Sequence, residues 1–412
     1  MKRTTILFFI ALALCSSMVA CTKQPQGTLI EWSINSNYTD KKTANSFLVE
    51  RYPFSTEQIE AFLSKLYKNG YTLAHNYYRS KKEWEFILDG LRNNIAPHMY
   101  SEQLLMQIED AISKASADPR FIETSFDNPN DGNNVFTIIP YNNASLGQLI
   151  YQQSDNSFYF YRSDILNVID ASMYEYNKQN ENDLSSEFLD WLSPSPTVSS
   201  EECLKYIYPI LDGFNFELDL FHCEPCAIIE NYVNRTDGWL FVFTRCMDEL
   251  QSQYWNGQWC SIEPSYLPIS VAPWEQEVCY IIIDDKGICE FCWTGASITN
   301  NSSETMTLLD FSEIKRNATT VLNNLYKDCS YRDGIWVDIL IKKVELGIAL
   351  ISYTENMQKG QYVPAYYITY AIKWSDAEDI PDNWEEEQLI INAITGAYIE
   401  PRVTLEDINS FR

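Results

Sequence analysis

An α+β fold is what the residue pattern predicts, and three observations predict it. Amphipathic stripes at helical spacing carry explicit start signals, runs of alternating apolar and polar residues follow them, and short polar turns separate those runs. The first stripe opens at Ser55, whose hydroxyl can cap the helix while Gln58 reaches back, with Phe54 placed to staple onto Ile59. Ile59, Phe62, Leu63, Leu66 and Tyr67 then share a face, and Asn69-Gly70 ends the helix. Two more stripes run through Trp84, Ile87, Leu88 and Leu91, and through Leu104, Leu105, Ile108 and Ile112. After them the period changes to two, over Val135–Pro140, Gly147–Gln153 and Ser157–Arg162, with turns at Asn142-Asn143 and Asp155-Asn156. This predicts a domain of helices followed by a β-meander over residues 51–190.

Ser193-Pro194-Ser195-Pro196 is a stiff break and predicts a domain boundary. Beyond it the order helix-then-strands occurs twice, over residues 195–300 and 301–412. In the first copy a capped helix starts at Ser199 or Ser200, with Pro209 a kink, and strands are expected at Phe214–Leu220, Trp239–Arg245, Val278–Asp284 and Ile288–Trp293. In the second, Asp310 caps a helix with Glu313 three residues on. Strands follow over Ile335–Ser352, where Gly347 suggests a bulge, then Tyr362–Trp374, Leu389–Asn392 and Ala397–Ile399. Each copy reads as a helix laid on one face of an antiparallel sheet.

The first residues form an export signal: basic Lys2 and Arg3, an apolar run from Ile6 to Leu14, and small residues up to Ala20. Met18-Val19-Ala20-Cys21 has the form of a lipobox, so cleavage after residue 20 and lipidation of Cys21 are expected. Residues 21–50 then make a lipidated tether and a first extended segment. Each buried methylene of an acyl chain contributes about 0.8 kcal/mol, so two or three chains hold a protein on a membrane without a second anchor. The expected location is the extracytoplasmic face of the cell membrane.

Losing Lys2 and Arg3 leaves 28 basic against 57 acidic residues, a formal net charge of −29. Such a field repels phosphate backbones and anionic headgroups, which argues against nucleic-acid binding and leaves cationic partners open. Nine of the eleven cysteines lie between Cys203 and Cys329, an odd number that forbids complete internal pairing. They read as small apolar residues, with one or two bridges open, Cys223 with Cys226 among them.

The closing segment Leu389-Ile-Ile-Asn-Ala-Ile-Thr-Gly-Ala-Tyr-Ile399, with the capped helix before it, resembles the end of PepSY-type modules. Ile281-Ile-Ile-Asp-Asp-Lys-Gly-Ile288 after Pro273-Trp274-Glu275, with Trp239–Arg245 and Lys343–Gly347, is similar to a group of uncharacterised Firmicutes surface lipoproteins. The resemblance covers roughly residues 195–405. It implies two PepSY-like units after the N-terminal domain, and a regulatory or interaction role outside the cytoplasm.

Catalytic patterns are scarce. There are three histidines, His75, His98 and His222, and no His-Glu-x-x-His helix, Gly-x-Ser-x-Gly elbow or phosphate loop. Ser312-Glu-Ile-Lys315 lacks the partner motifs of a Ser-x-x-Lys enzyme. Cys223-Glu-Pro-Cys226 is expected in a turn, where it could be half of a metal site with His222. Cys289-Glu-Phe-Cys292 is expected in a strand, which would need a bulge to hold one ion. Asp127–Gly132 starts like a calcium loop, but Pro129 replaces an oxygen ligand and Ile138 stands where the bidentate carboxylate belongs. The acidic run Asp376–Glu387 reads as a solvated loop. No metal, cofactor or catalytic residue is therefore assigned. The binding candidates are Trp255, Trp259, Tyr266 and Trp274, in a proline-studded stretch too long for a hairpin turn. They would either frame a groove for peptide or glycan or pack over a sheet. The function expected is non-catalytic binding of a peptide, protein or cell-envelope partner, with capture of a solute or glycan as the alternative.

Overall fold

The computed structural model of the chain describes residues 29–32, 41–93, 102–126, 135–141, 146–152, 157–163, 165–170, 193–214, 217–230, 234–254, 269–326, 337–352, 357–374 and 385–405. The export signal, Cys21 and the segment Asp127–Gly132 lie outside them. Strands dominate the rest, gathered into one sheet of eleven strands and one of eight.

The larger sheet runs, in spatial order, β4 (Arg120–Glu123), β3 (Tyr71–Tyr78), β5 (Val135–Pro140), β6 (Gly147–Gln152), β7 (Ser157–Arg162), β14 (Gly287–Thr294), β13 (Val278–Asp284), β10 (Asn234–Met247), β9 (Leu218–Glu230) and β8 (Ile165–Asp170). The two-residue β11 (Leu250–Gln251) pairs beside β10. The smaller sheet runs β1 (Leu29–Trp32), β16 (Val337–Ser352), β17 (Lys359–Trp374), β18 (Glu385–Asn392), β19 (Tyr398–Thr404) and β12 (Ile269–Ala272). Its β2 (Thr43–Arg51) pairs with β15 (Ser297–Thr307) and with β17.

Five α-helices are described: α1 (Thr56–Leu66), α2 (Lys81–Arg92), α3 (Glu102–Lys114), α4 (Ser200–Leu211) and α5 (Phe311–Leu325). Two of the expected helix starts carry the full capping signal. Ser55 with Gln58 and Ser199 with Glu202 form complete capping boxes, satisfying amide donors that a helix start leaves without partners. Asp310 occupies the N-cap of α5, but its side chain does not cap; its carboxylate instead accepts from Lys42 Nζ at 3.1 Å.

The expected α+β class, with two separate PepSY-like units after an N-terminal domain, is overturned: the chain is predominantly β, built on two large continuous sheets. The physical reason is edge pairing. A meander leaves an open edge whose backbone groups need partners, and here β7 and β14 pair antiparallel through Phe158↔Trp293 and Phe160↔Phe291. Strands from residues 71–162 and 218–294 thereby become one sheet across Ser193–Pro196. In the same way β2 and β15 tie residues 43–51 and 297–307 into the smaller sheet.

One core follows from this. α1 and α4 lie on the same face of the larger sheet, where Ile59, Phe62, Ile207 and Phe214 pack with Phe158, Phe160, Phe241, Ile281, Phe291 and Trp293. A second core forms where α5 places Ile314, Ala318, Val321 and Leu322 on Ile339, Ile341, Tyr366, Ile368 and Leu389. The two sheets meet around Val49, Met247, Leu250, Trp274, Ile348 and Tyr362. Gly347 sits at this meeting and is not a bulge. It pairs regularly with Ala365, the register shift falling instead between Ile341 and Lys343. A Cβ at Gly347 would stand 2.3 Å from the carbonyl oxygen of Gln251, so the bare backbone is what admits β11.

Candidate functional site

Of the four aromatic candidates, Trp255, Trp259 and Tyr266 lie outside the described residues. Trp274 is described and is a core residue: it is 1% exposed, packs with Val49 and Tyr362, and its indole N–H donates to Gly295 O at 3.1 Å. The Arg51 guanidinium stands over its ring at 5.4 Å. A tryptophan so enclosed cannot line a groove.

The cysteine pairs also part company. Cys223-Glu-Pro-Cys226 lies within β9 rather than in a turn, with Cys223 against the helix-covered core and Cys226 buried in a separate cluster with Ile228, Ile282 and Cys289. Side chains three apart in a strand point to opposite faces, so these two neither bridge nor chelate together. Among the described residues the pairing of β8 ends at Cys226, so Pro225 has only β10 beside it, a position a proline tolerates. A bulge does occur at Cys289, yet its thiol turns to Gly287 O at 3.7 Å. Of the seven described cysteines, Cys203, Cys223, Cys246, Cys279, Cys289 and Cys292 are free thiols. Burial pushes the Cys223 and Cys246 thiols up to about 11, and those of Cys279 and Cys289 well above the ordinary range, away from thiolate character. Among the described residues no three His, Cys, Asp or Glu side chains gather as a metal would require.

The buried acids are committed to structure. Arg245 of β10 forms a bidentate pair with Glu277, both contacts 2.8 Å, and each residue is 1% exposed. Glu277 also accepts from Ser297, from the Trp293 indole and from the Tyr362 hydroxyl of β17, so this network fastens the smaller sheet to the larger. A second network joins Arg162 to Asp284 and Glu230, with Lys286 reaching Glu230 at 2.7 Å. Of the acidic run expected as a loop, Glu385, Glu386 and Glu387 lie in β18; Glu386 pairs with Lys342, and Glu387 is buried.

What stands out is the β4 edge. α2 and α3 pack on each other through Leu88, Leu91 and Ile108 and deliver the chain back to the sheet as β4, which pairs with β3 alone among the described residues. Asn76 adopts a left-handed φ of 51°, and the ladder is bulged between His75 and Tyr78. All four residues of β4 are exposed, Ile122 at 57% and Phe121 at 38%. The Phe121 ring stacks on Tyr77 at 6.1 Å, and the Arg120 guanidinium stands over Tyr78 at 5.9 Å. Tyr78 and Val135, also exposed, extend the apolar surface onto β3 and β5. Opposite Ile122 on the ladder stands His75, whose Nδ1–H donates to Val135 O, 2.9 Å away, and whose buried Nε2 has no hydrogen-bond partner among the described residues. The Tyr77 hydroxyl donates to Glu83, which also closes the capping box of α2, so β3 and the helix pair are held together. Four residues with two adjacent apolar side chains give no alternation, and nothing in the sequence marked this edge.

Among the described residues no helix is long and apolar enough to cross a membrane. No protein-family model matches the chain, and no curated protein matches it. An uncharacterised protein from Eubacterium rectale ATCC 33656, with a crystal structure at 1.45 Å, is similar at a TM-score of 0.49 and 13% identity, over 90% of this chain and 91% of its own.

Proposed function

We propose that this chain is a non-catalytic binding protein, lipid-anchored through Cys21 on the extracytoplasmic face of the membrane, that takes an extended segment of a protein partner as an added strand beside β4. The observation that supports this reading most is the edge itself. A strand with all four residues exposed presents backbone donors and acceptors in a row, and Phe121 and Ile122 offer apolar purchase on either side. The acidic chain favours a segment of positive charge. The ion pairs that hold Glu277, Glu230 and Asp284 support binding over catalysis.

Two substitutions test the parts separately. Cys21→Ser should release the protein from the membrane fraction, and its retention there would sink the anchor. A photo-crosslinking residue at Phe121, placed in the tethered protein on living cells, should attach to one extracytoplasmic protein through a contiguous extended segment. Ile122→Lys should weaken that capture by about tenfold or more. Crosslinks to transporter subunits or to glycan alone would move the reading to solute or glycan capture.

A further inference from the structure

The larger sheet carries a second feature, on the face turned away from α1 and α4. Phe158, Phe160, Ile281, Phe291 and Trp293 are buried on the helix-covered side, so strand alternation puts Tyr159, Tyr161, Tyr280, Glu290 and Cys292 on the other. The ladder sets Glu290 between Tyr161 and Ile282, and Cys292 between Tyr159 and Tyr280. Tyr254 stands edge-on to Tyr280 with ring centroids 6.0 Å apart. The Tyr161 hydroxyl donates to Gln148 Oε1 at 2.7 Å, so its proton is not offered to Glu290.

Glu290 is partly exposed and has neither a hydrogen-bond nor an ion-pair partner among the described residues. The guanidinium nearest along the strands, that of Arg162, is turned to Asp284 and Glu230. The rows crossing the sheet at this point, Gln148–Tyr161–Glu290–Ile282–Leu240 and Ile150–Tyr159–Cys292–Tyr280–Val242, contain no lysine or arginine. Burial alone pushes the Glu290 carboxyl up. Tyr161, raised first by its own burial, is raised further by Glu290. A desolvated carboxylate without a donor is costly, and the tyrosine rings that the ladder sets beside it carry negative faces, which cannot relieve it. Both deficits are met by one kind of ligand. Glu290 and Glu275, whose charge also reaches Cys292, are too few for a metal ion, and a sugar would need donors as well as acceptors.

We infer that this patch binds a small organic ammonium ion, with Glu290 as its counter-ion and Tyr159, Tyr161 and Tyr280 as ring walls. Calorimetric titration of the full-length protein with tetramethylammonium should show saturable binding, about tenfold weaker in Glu290→Gln and weakened also in Tyr161→Leu. The thermal midpoint of Glu290→Gln should equal or exceed that of the parent, because the variant removes a desolvated charge and keeps the side chain's shape. A lost affinity is then not lost folding. Ile122→Lys, on a distant strand, should leave the titration unchanged. The inference is overturned by no heat at tens of millimolar tetramethylammonium, by equal affinity in Glu290→Gln, or by a methyl glucoside that binds both proteins while the cation binds neither.

Discussion

Glu277→Ala is expected to destabilise the fold by about 3–5 kcal/mol, the scale seen when one partner of a buried ion pair is removed. The cost is not the value of the pair but the charge left behind. Arg245 would keep its contact with the half-exposed Glu217 and with Ser297 O, yet lose both bidentate bonds in a site where water has little access. Burial works against the Arg245 charge, and Glu277 is the chief group that sustains it. The Trp293 indole and the Tyr362 hydroxyl would lose their acceptor at the same time. Because Tyr362 belongs to the smaller sheet, the loss should also loosen the joint between sheets. Urea denaturation checks this through its midpoint, and a change under about 1 kcal/mol would mean that water reaches Arg245 and replaces the carboxylate.

Phe62→Ala is expected to cost about 3–5 kcal/mol as well, through lost transfer energy and the cavity left by a ring. The ring of Phe62 meets Phe158 at 5.2 Å, Phe160 at 5.7 Å, Phe214 at 5.8 Å and Phe291 at 5.0 Å. Two of those partners, Phe214 and Phe291, lie beyond Ser193–Pro196. The cavity therefore opens in a core shared by both halves of the larger sheet. Amide exchange should accelerate in β13 and β14 along with β5 to β7. Unchanged protection of Ile281 to Ile283 would show that residues 195–300 fold independently after all.

The parts of this protein legible in its sequence are those whose causes are local. A hydroxyl three residues from the amide it caps announces α1 and α4 at Ser55 and Ser199, and the alternation of Val135–Pro140 and Ser157–Arg162 announces β5 and β7. An apolar stripe at helical spacing says that Ile314, Ala318, Val321 and Leu322 face a core. Whether a strand ends a domain or continues another's sheet is a different matter. The pairing of Phe160 with Phe291 joins positions 131 residues apart, and no composition at either end names its partner. That ladder, with the one between β2 and β15, turned the expected helix-on-sheet units into a predominantly β fold of two continuous sheets. The same limit applies to the sites. Trp274 looks the same in sequence whether it lines a groove or fills the joint between two sheets, and Pro225 reads as a turn unless it is known that it pairs with Trp239 of β10. Arg120–Glu123 is too short to carry a pattern, and becomes an edge only because α2 and α3 return the chain to β3. Glu290 is one acid among many until the sheet places it against Tyr161 with no ion-pair partner among the described residues. Local hydrogen bonds and side-chain period are written in neighbouring residues; burial and pairing depend on which distant surface arrives, and the tertiary structure alone decides that.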